Sequence, residues 1–287
     1  MRKSQFIFVL MLGSSFATMA RADDTSLANC LKAAGEGNCV QIATSGTYYA
    51  LSGDAGNQTM TIYGTSGSTA ATVPNYAFYD GEYDKSSFPR DVKSLKTSGN
   101  VDIGDGAFWK ATGLTSVDLT GVQSIGYSAF EGATNLTSID LTGVREIGVT
   151  AFYGATSLTS ANLTGVQTIG EFAFLGAGKL TSIVISDSLL DSKGNITGID
   201  AGAFDGSGLN TIYCPAGKTC GNSFTGLSGT LKTIPYSIEN GQIKAGGKTY
   251  ASLDDLASGN HIVKRIYTID EANEVAGKVN SVKIRYR

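Results

Sequence analysis

The chain has 287 residues, 41% of them hydrophobic and only 16% charged, with 37 glycines against 4 prolines and a single histidine. So much glycine without a G-X-Y period excludes collagen, and so few charges exclude a coiled coil or a disordered polyampholyte. A net charge of −3 offers no basic face to neutralise phosphates, which argues against a nucleic-acid binder, and one imidazole leaves a His-rich metal site or a catalytic triad little to draw on.

Residues 1–22 have the layout of a secretory signal, with Arg2 and Lys3 at the start, an apolar run over residues 6–12, and Ala20-Arg21-Ala22 as an A-x-A cleavage site. An apolar run this short falls well below the about 20 residues that cross a hydrocarbon core. No later segment comes near that length, so an exported chain without a transmembrane segment is expected. Asp23 rather than Cys after the cleavage site argues against lipid attachment. Beyond the signal the charge is uneven: residues 23–230 carry 10 basic and 19 acidic side chains, and residues 231–287 carry 9 and 6. That asymmetry suggests two modules. Four cysteines in an exported chain point to two disulfides. They fall as two local pairs, Cys30 with Cys39 and Cys214 with Cys220; three connectivities are open, and the local one is the simplest. Neither pair has the spacing of a zinc framework.

Residues 23–72 read as an N-terminal cap, a short helix over residues 26–33 followed by a strand over residues 40–49. The text that begins at Leu114, LTSVDLTGVQSIGYSAFEGATN, has near-copies that begin at Leu136 and Leu158 and a fourth that begins at Leu180, a period of 22 residues that falls in the range of short-coil solenoids. Each copy has an alternating L-x-x-[VI]-x-L head, a glycine corner and an I-G-x-x-A-F tail. Residues 92–108 form an earlier unit, residues 73–78 a degenerate tail before it, and Ile199, Ala203 and Phe204 a later tail after an insertion around residues 189–194. Leu209 and Ile212 start a last strand. In one unit Leu114, Val117 and Leu119 point inward, while Ser116, Asp118 and Thr120 point outward. Val122, Ile125, Ala129 and Phe130 close the coil through a short helical or 3₁₀ turn. A single coil cannot bury its own core. Stacking coils about 4.8 Å apart gives a parallel sheet and a ladder of Phe108, Phe130, Phe152, Phe174 and Phe204.

Over roughly residues 73–215 these units resemble the BspA-type leucine-rich-repeat surface proteins of bacteria. Units of that family usually carry Pro after the strand, where this chain has Thr120, Thr142 and Thr164. The resemblance implies an α/β leucine-rich-repeat solenoid over residues 73–230, a parallel sheet with short helical or 3₁₀ turns. It also implies a secreted or surface-exposed module that binds host, matrix or other cell-surface proteins; a secreted, periplasmic or cell-surface location is expected, with no catalysis and no cofactor. IYCPAGKTC at residues 212–220 is similar to the I-Y-x-P-x-G segment that ends such arrays, so a Cys214–Cys220 bridge would lock the last coil.

Residues 234–287 read as a small α+β C-terminal module, with β patterns at residues 242–250, 261–267 and 279–286 and helices at residues 252–257 and 269–276. Thr268 and Glu271 form a capping box for the second helix. Its basic ends (Lys264, Arg265, Lys283, Arg285, Arg287) suit peripheral association with an acidic envelope component, which makes an envelope spacer the alternative function. GGKT at residues 246–249 lacks the first glycine of a phosphate-binding loop, with Gln242 in its place. His261 starts an expected strand with no nucleophile near it in sequence, so it reads as structural and no catalytic residue is assigned.

The outward positions form three rows across the sheet. One runs Ser94, Ser116, Ser138, Ser160, Ser182 and Thr211; the middle runs Lys96, Asp118, Asp140, Asn162, Val184 and Tyr213; the third runs Ser98, Thr120, Thr142, Thr164, Ser186 and Pro215. From them Ser116, Asp118, Thr120, Ser138, Asp140, Thr142, Asn162 and Tyr213 are the candidate binding residues. Asp118 beside Asp140 would repel, but hydroxyl rows lack the 6–8 oxygen ligands of Ca²⁺, so a solvated polar face is expected and no metal. Asp187, Asp191 and Asn195 are a weaker cation candidate, lacking the D-x-D-x-D-G spacing. Trp109, Tyr127, Tyr153 and Phe172 in the tails serve either as binding anchors or as packing between coils. Six strands about 4.8 Å apart, each exposing roughly 16 Å, give a face of roughly 400–500 Å², below the about 800 Å² per partner of a standard interface.

Overall fold

The computed structural model describes residues 30, 39–42, 47–65, 70–78, 88–141, 143–218, 220 and 231–259. The signal segment, Thr142, His261 and the elements expected beyond residue 259 lie outside the described residues, as does the cap helix apart from Cys30.

Each repeat is one coil with a strand on two of its sides. The heads build a front sheet in two parallel hydrogen-bonded stretches, β3 (Gln58–Tyr63), β5 (Val92–Ser98), β7 (Ser116–Asp118) and β9 (Ser138–Asp140), then β11 (Ser160–Asn162), β13 (Ser182–Val184) and β14 (Thr211–Pro215). β9 and β11 lie side by side, linked by the Thr159 N–H to the Thr137 carbonyl at 3.4 Å. The start of each tail builds a second parallel sheet from β4 (Ala71–Val73), β6 (Val101–Ile103), β8 (Ser124–Ile125), β10 (Glu146–Ile147) and β12 (Thr168–Ile169). The register is that of the 22-residue repeat: Ser94, Ser116 and Ser138 face one another in one row, and Lys96, Asp118 and Asp140 in the next.

The inward positions read from the sequence are all buried: Leu114, Val117, Leu119, Val122, Ile125, Ala129 and Phe130, with their equivalents in neighbouring coils. The aromatic ladder is real and one ring longer than expected. Phe78 stacks on Phe108 at 5.5 Å, and Phe108, Phe130, Phe152, Phe174 and Phe204 follow at 5.1, 5.4, 5.2 and 5.1 Å. Such offset stacks add to the area they bury. The residues 73–78 thus form a working tail, closing the core at its N-terminal end.

The tails differ in detail from the short helical turn expected. They are chains of β-turns in which the residue before each Ala-Phe is left-handed: Tyr76, Gly106, Ser128, Thr150, Phe172 and Gly202. Alternate amides then point along the solenoid axis and bond the next coil, as Phe108 N–H does to the Ala129 carbonyl and Phe130 N–H to that of Ala151, both at 2.8 Å. A regular helix would turn these amides back on itself. The tails pack closely enough that the I-G glycine is fixed by space: a Cβ at Gly148 would meet Gly126 and Ile125 backbone atoms at 2.7–2.9 Å. The threonine of each L-T-S head does similar work. Thr115, Thr137 and Thr159 donate their hydroxyls to the carbonyl one coil back, at 3.0, 2.9 and 3.2 Å.

At the N-terminal end, the single strand expected over residues 40–49 is a hairpin of β1 (Val40–Ile42) and β2 (Thr47–Ser52). β2 pairs antiparallel with β3, which then joins the front sheet in parallel with β5. Both disulfides are the local ones, Cys30–Cys39 and Cys214–Cys220.

At the C-terminal end, β15 (Lys232–Glu239) runs across the boundary expected at residue 234 and pairs in parallel with β14. The front sheet therefore continues into this segment. The strand expected over residues 242–250 is two strands, β16 (Gln242–Ala245) and β17 (Lys248–Tyr250), antiparallel to β15 and to each other. Asn240-Gly241 and Gly246-Gly247, all four with positive φ, make the two-residue turns that such hairpins require. The GGKT sequence is this second turn. Helix α1 (Leu253–Ser258) follows, with Ser252 Oγ accepting from the Asp255 N–H at its start and left-handed Gly259 at its end.

Candidate binding face

The outward rows of the front sheet are where the sequence placed the candidate residues. Ser116, Asp118, Thr120, Ser138 and Asp140 sit together on β7 and β9 and at their ends, exposed or half-buried. Thr142 lies outside the described residues. The D-x-T spacing has a local cause: the Thr120 amide and hydroxyl both donate to Asp118 Oδ1, at 3.1 and 2.6 Å. Asn162 plays the same part for Thr164, at 3.1 and 2.6 Å. These side-chain turns end the strand and hold the acceptor at the corner of the coil.

The other two candidates are engaged within the chain. Helix α1 folds back onto β11 and β13. Asn162 Nδ2 donates to Asp254 Oδ1 at 3.0 Å, and Ser182 Oγ donates to the Ala257 carbonyl. Leu256 and Ala257 of the helix bury against Val184, Tyr236, Ile243, Ala245 and Tyr250, with Tyr213 at the margin. Tyr213 therefore packs at the margin of a second small core, and Asn162 is held by α1. A signal for this lay in the middle row, where apolar Val184 follows Lys96, Asp118, Asp140 and Asn162. An apolar residue at an outward position needs a cover. Burial raises the Tyr236 phenol above its ordinary value, with Asp187 contributing, and its hydroxyl donates to the Ile185 carbonyl at 3.1 Å. Tyr250 is raised first by burial and then by Tyr213, to which it is hydrogen-bonded.

The opposite end of the face is covered as well. Ala50 and Tyr63, on outward positions of β2 and β3, bury against Cys30, with Cys39 and Tyr48 packed around them. Between the two covers lie β5, β7 and β9. Their floor consists of Ser94, Ser116 and Ser138 in one row, Lys96, Asp118 and Asp140 in the next, and Ser98 and Thr120 in the third.

Outside the face, the tail aromatics divide. Phe172 is half-buried, with its ring against Gly202, where a Cβ would come within 2.5 Å of it; it is packing between coils. Tyr127 and Tyr153 are exposed, and the Lys110 ammonium lies over the Trp109 ring, 4.4 Å from its centre. The inserted loop is tied by Asp191, which accepts from the amides of Lys193 and Asn195 and from Asn195 Nδ2 at 2.8–2.9 Å. The Asn195 side chain is the main reason its carboxyl is held below the usual range. Asp191 thus serves the loop. Among the described residues no group of three His, Cys, Asp or Glu side chains is placed to hold a metal ion. No helix among them is long and apolar enough to cross a membrane.

Parallel coils of 22 residues with a strand head, a glycine corner and a stacked phenylalanine define a leucine-rich-repeat solenoid. The chain belongs to the BspA-type leucine-rich-repeat family, whose profile, six copies long, matches residues 71–193 and 101–228, together more than half of it. Among solved structures it is similar to a leucine-rich-repeat protein of T. pallidum, with 24% identity, a TM-score of 0.39, and 59% of this chain and 69% of that one covered. A leucine-rich-repeat protein of Eubacterium ventriosum shares 18% identity at a TM-score of 0.45, over 72% of this chain. A leucine-rich cell surface protein of Faecalibacterium prausnitzii shares 20% at 0.42, over 74%. The chain spans 48% and 60% of the lengths of these last two. No curated protein matches it.

Proposed function

We propose that this chain is an exported, non-catalytic recognition protein of the bacterial surface that binds a protein partner through the uncovered part of its front sheet. The observation that carries this reading is the contrast along one sheet. Both ends of the face are covered by the chain's own residues, while β5, β7 and β9 present three rows of hydroxyl, carboxylate and ammonium groups. Membership in a family of generally non-catalytic binding proteins agrees with it. Integration of β15 to β17 into the same sheet favours recognition over a spacer with a separate anchor, as far as residue 259.

The test has two parts. Fractionation of the producing cells places the protein outside the cytoplasm. Capture with the full chain then retains a partner that Ser116→Arg and Ser138→Arg abolish and Tyr153→Arg leaves bound. A cytoplasmic location contradicts export, and capture insensitive to both serine variants contradicts the front-face site.

A further inference from the structure

We propose that the open part of the front sheet takes one short helix of the partner, laid along the solenoid axis in the direction of α1 and carrying an acidic residue three positions before a basic one. The proposal rests on the front-face reading above and adds the form of the partner.

The chain carries one such helix on this sheet already. Helix α1 lies on the outward positions of β11 and β13. Asp254, in its first turn, accepts from Asn162 Nδ2 in the middle row of β11 at 3.0 Å. Three residues on, the Ala257 carbonyl accepts from the hydroxyl of Ser182 in the first row of β13. Three helical residues rise about 4.5 Å, close to the about 4.8 Å between coils, so a helix along the axis advances one strand for every three residues. The hydroxyl takes up a carbonyl of the last turn, which the helix itself leaves unpaired. A seat for a helix is therefore a middle-row group on one strand and a first-row serine on the next.

The repeat makes the same seat twice on β5, β7 and β9: Lys96 with Ser116, and Asp118 with Ser138. Among the described residues, Ser182 is the serine of this row whose hydroxyl is taken up, and α1 takes it. The middle-row groups then set the sequence of the helix. Asn162 can donate or accept, whereas Lys96 only donates and Asp118 only accepts. Thr120 occupies Asp118 Oδ1, so Oδ2 is the acceptor offered to a partner. A helix running as α1 does meets Lys96 with an acceptor at one position and Asp118 with a donor three residues later, each through a charge-assisted hydrogen bond. Its last turn then reaches Ser138, about two turns from its start, close to the six residues of α1.

Size agrees with a single helix. Three strands about 4.8 Å apart, each roughly 16 Å long, expose roughly 200–250 Å², far below the about 800 Å² per partner of a standard interface. A cylinder about 10–12 Å across fits within that strand length.

The experiment titrates the full chain with three peptides of about twelve residues, a length at which a side-chain staple is needed to hold the helix. One is a stapled helix with a central Glu-Ala-Ala-Lys, the second a stapled helix with Lys-Ala-Ala-Glu, and the third the first sequence without staple and with two prolines, which prevent the helix. Dissociation constants and the amide shifts of Lys96, Ser116 and Ser138 are read for each. The first peptide is expected to shift all three amides, and the second and third to bind about tenfold more weakly. Ser138→Ala is expected to weaken the first about fivefold, while Thr168→Ala, exposed on the second sheet, leaves it unchanged. Equal affinity of the two stapled helices means attraction without register and overturns the proposal. Equal affinity of the proline peptide means an extended segment, and overturns it while leaving the front-face site standing. Absence of shifts with all three also overturns it, and the capture experiment then decides the front-face reading separately.

Discussion

The tail side and the front side of each coil are built from the same repeat, yet their side chains answer to different demands. On the tail side the inward positions and the backbone are set by the neighbouring coil. Phenylalanines stack at about 5 Å, alternate amides bond the next turn, and Gly148 sits where no Cβ fits. On the front side only the inward positions are so constrained, and the outward ones vary from Lys96 to Asp118 to Val184 along a single row. The difference teaches that this solenoid keeps its stability in the tails and is able to vary its chemistry on the front, because an outward residue changes neither the core nor the ladder.

The comparison breaks most readily at the aromatic stack. Phe152 is fully buried between two rings, so Phe152→Ala is expected to cost about 3–5 kcal/mol in urea unfolding. Ser116→Ala on the front should stay within about 0.5 kcal/mol of the parent. Similar costs for the two would dissolve the distinction. Gly148→Ala tests the close approach of the tails. Its methyl would press on backbone atoms of the preceding coil, and overpacking of this kind costs about 1–3 kcal/mol.

Effects of similar size are expected where β15 meets the front sheet. Tyr236→Phe removes the donor to the buried Ile185 carbonyl, at a cost of about 1–3 kcal/mol, read from the midpoint of thermal or urea unfolding. Alkaline pH addresses this tyrosine and two others. Burial raises the phenols of Tyr49, Tyr236 and Tyr250 above the ordinary value. Below about pH 10 both folded and unfolded forms are neutral there and stability is complete. As pH rises past that point the unfolded chain ionises first, and stability falls until the folded-state values are passed. Replacing all three by phenylalanine should flatten that decline, which unfolding midpoints between pH 8 and 11 would record; an unchanged slope would assign the loss to other groups.

Most of the solenoid could be read from the sequence because the repeat states it several times over. Leu114, Val117 and Phe130 recur at fixed spacing, and each copy corroborates the burial of the others. The rows of outward residues followed from the same register, and the local disulfides from the short separations of Cys30–Cys39 and Cys214–Cys220. The form of the tail turn was hidden, since left-handed Ser128 and Thr150 carry no glycine to mark them. The return of α1 was harder still. The pairing of Asn162 with Asp254 depends on two hairpins that reverse the chain, and no periodicity connects residues 92 apart. Val184 and Tyr213 were its trace, apolar side chains on outward positions that only a cover explains.

The central proposal is that a protein partner meets this chain on β5, β7 and β9. The most direct measurement places a photocrosslinking residue singly at Ser116, Ser182 and Tyr153 of the full chain, which is then applied to the partner retained in the capture experiment. The account predicts crosslinks from Ser116, in the open strip, and none from Ser182, beneath α1, or from Tyr153, on the tail side. Crosslinks from Tyr153 with none from Ser116 would contradict it.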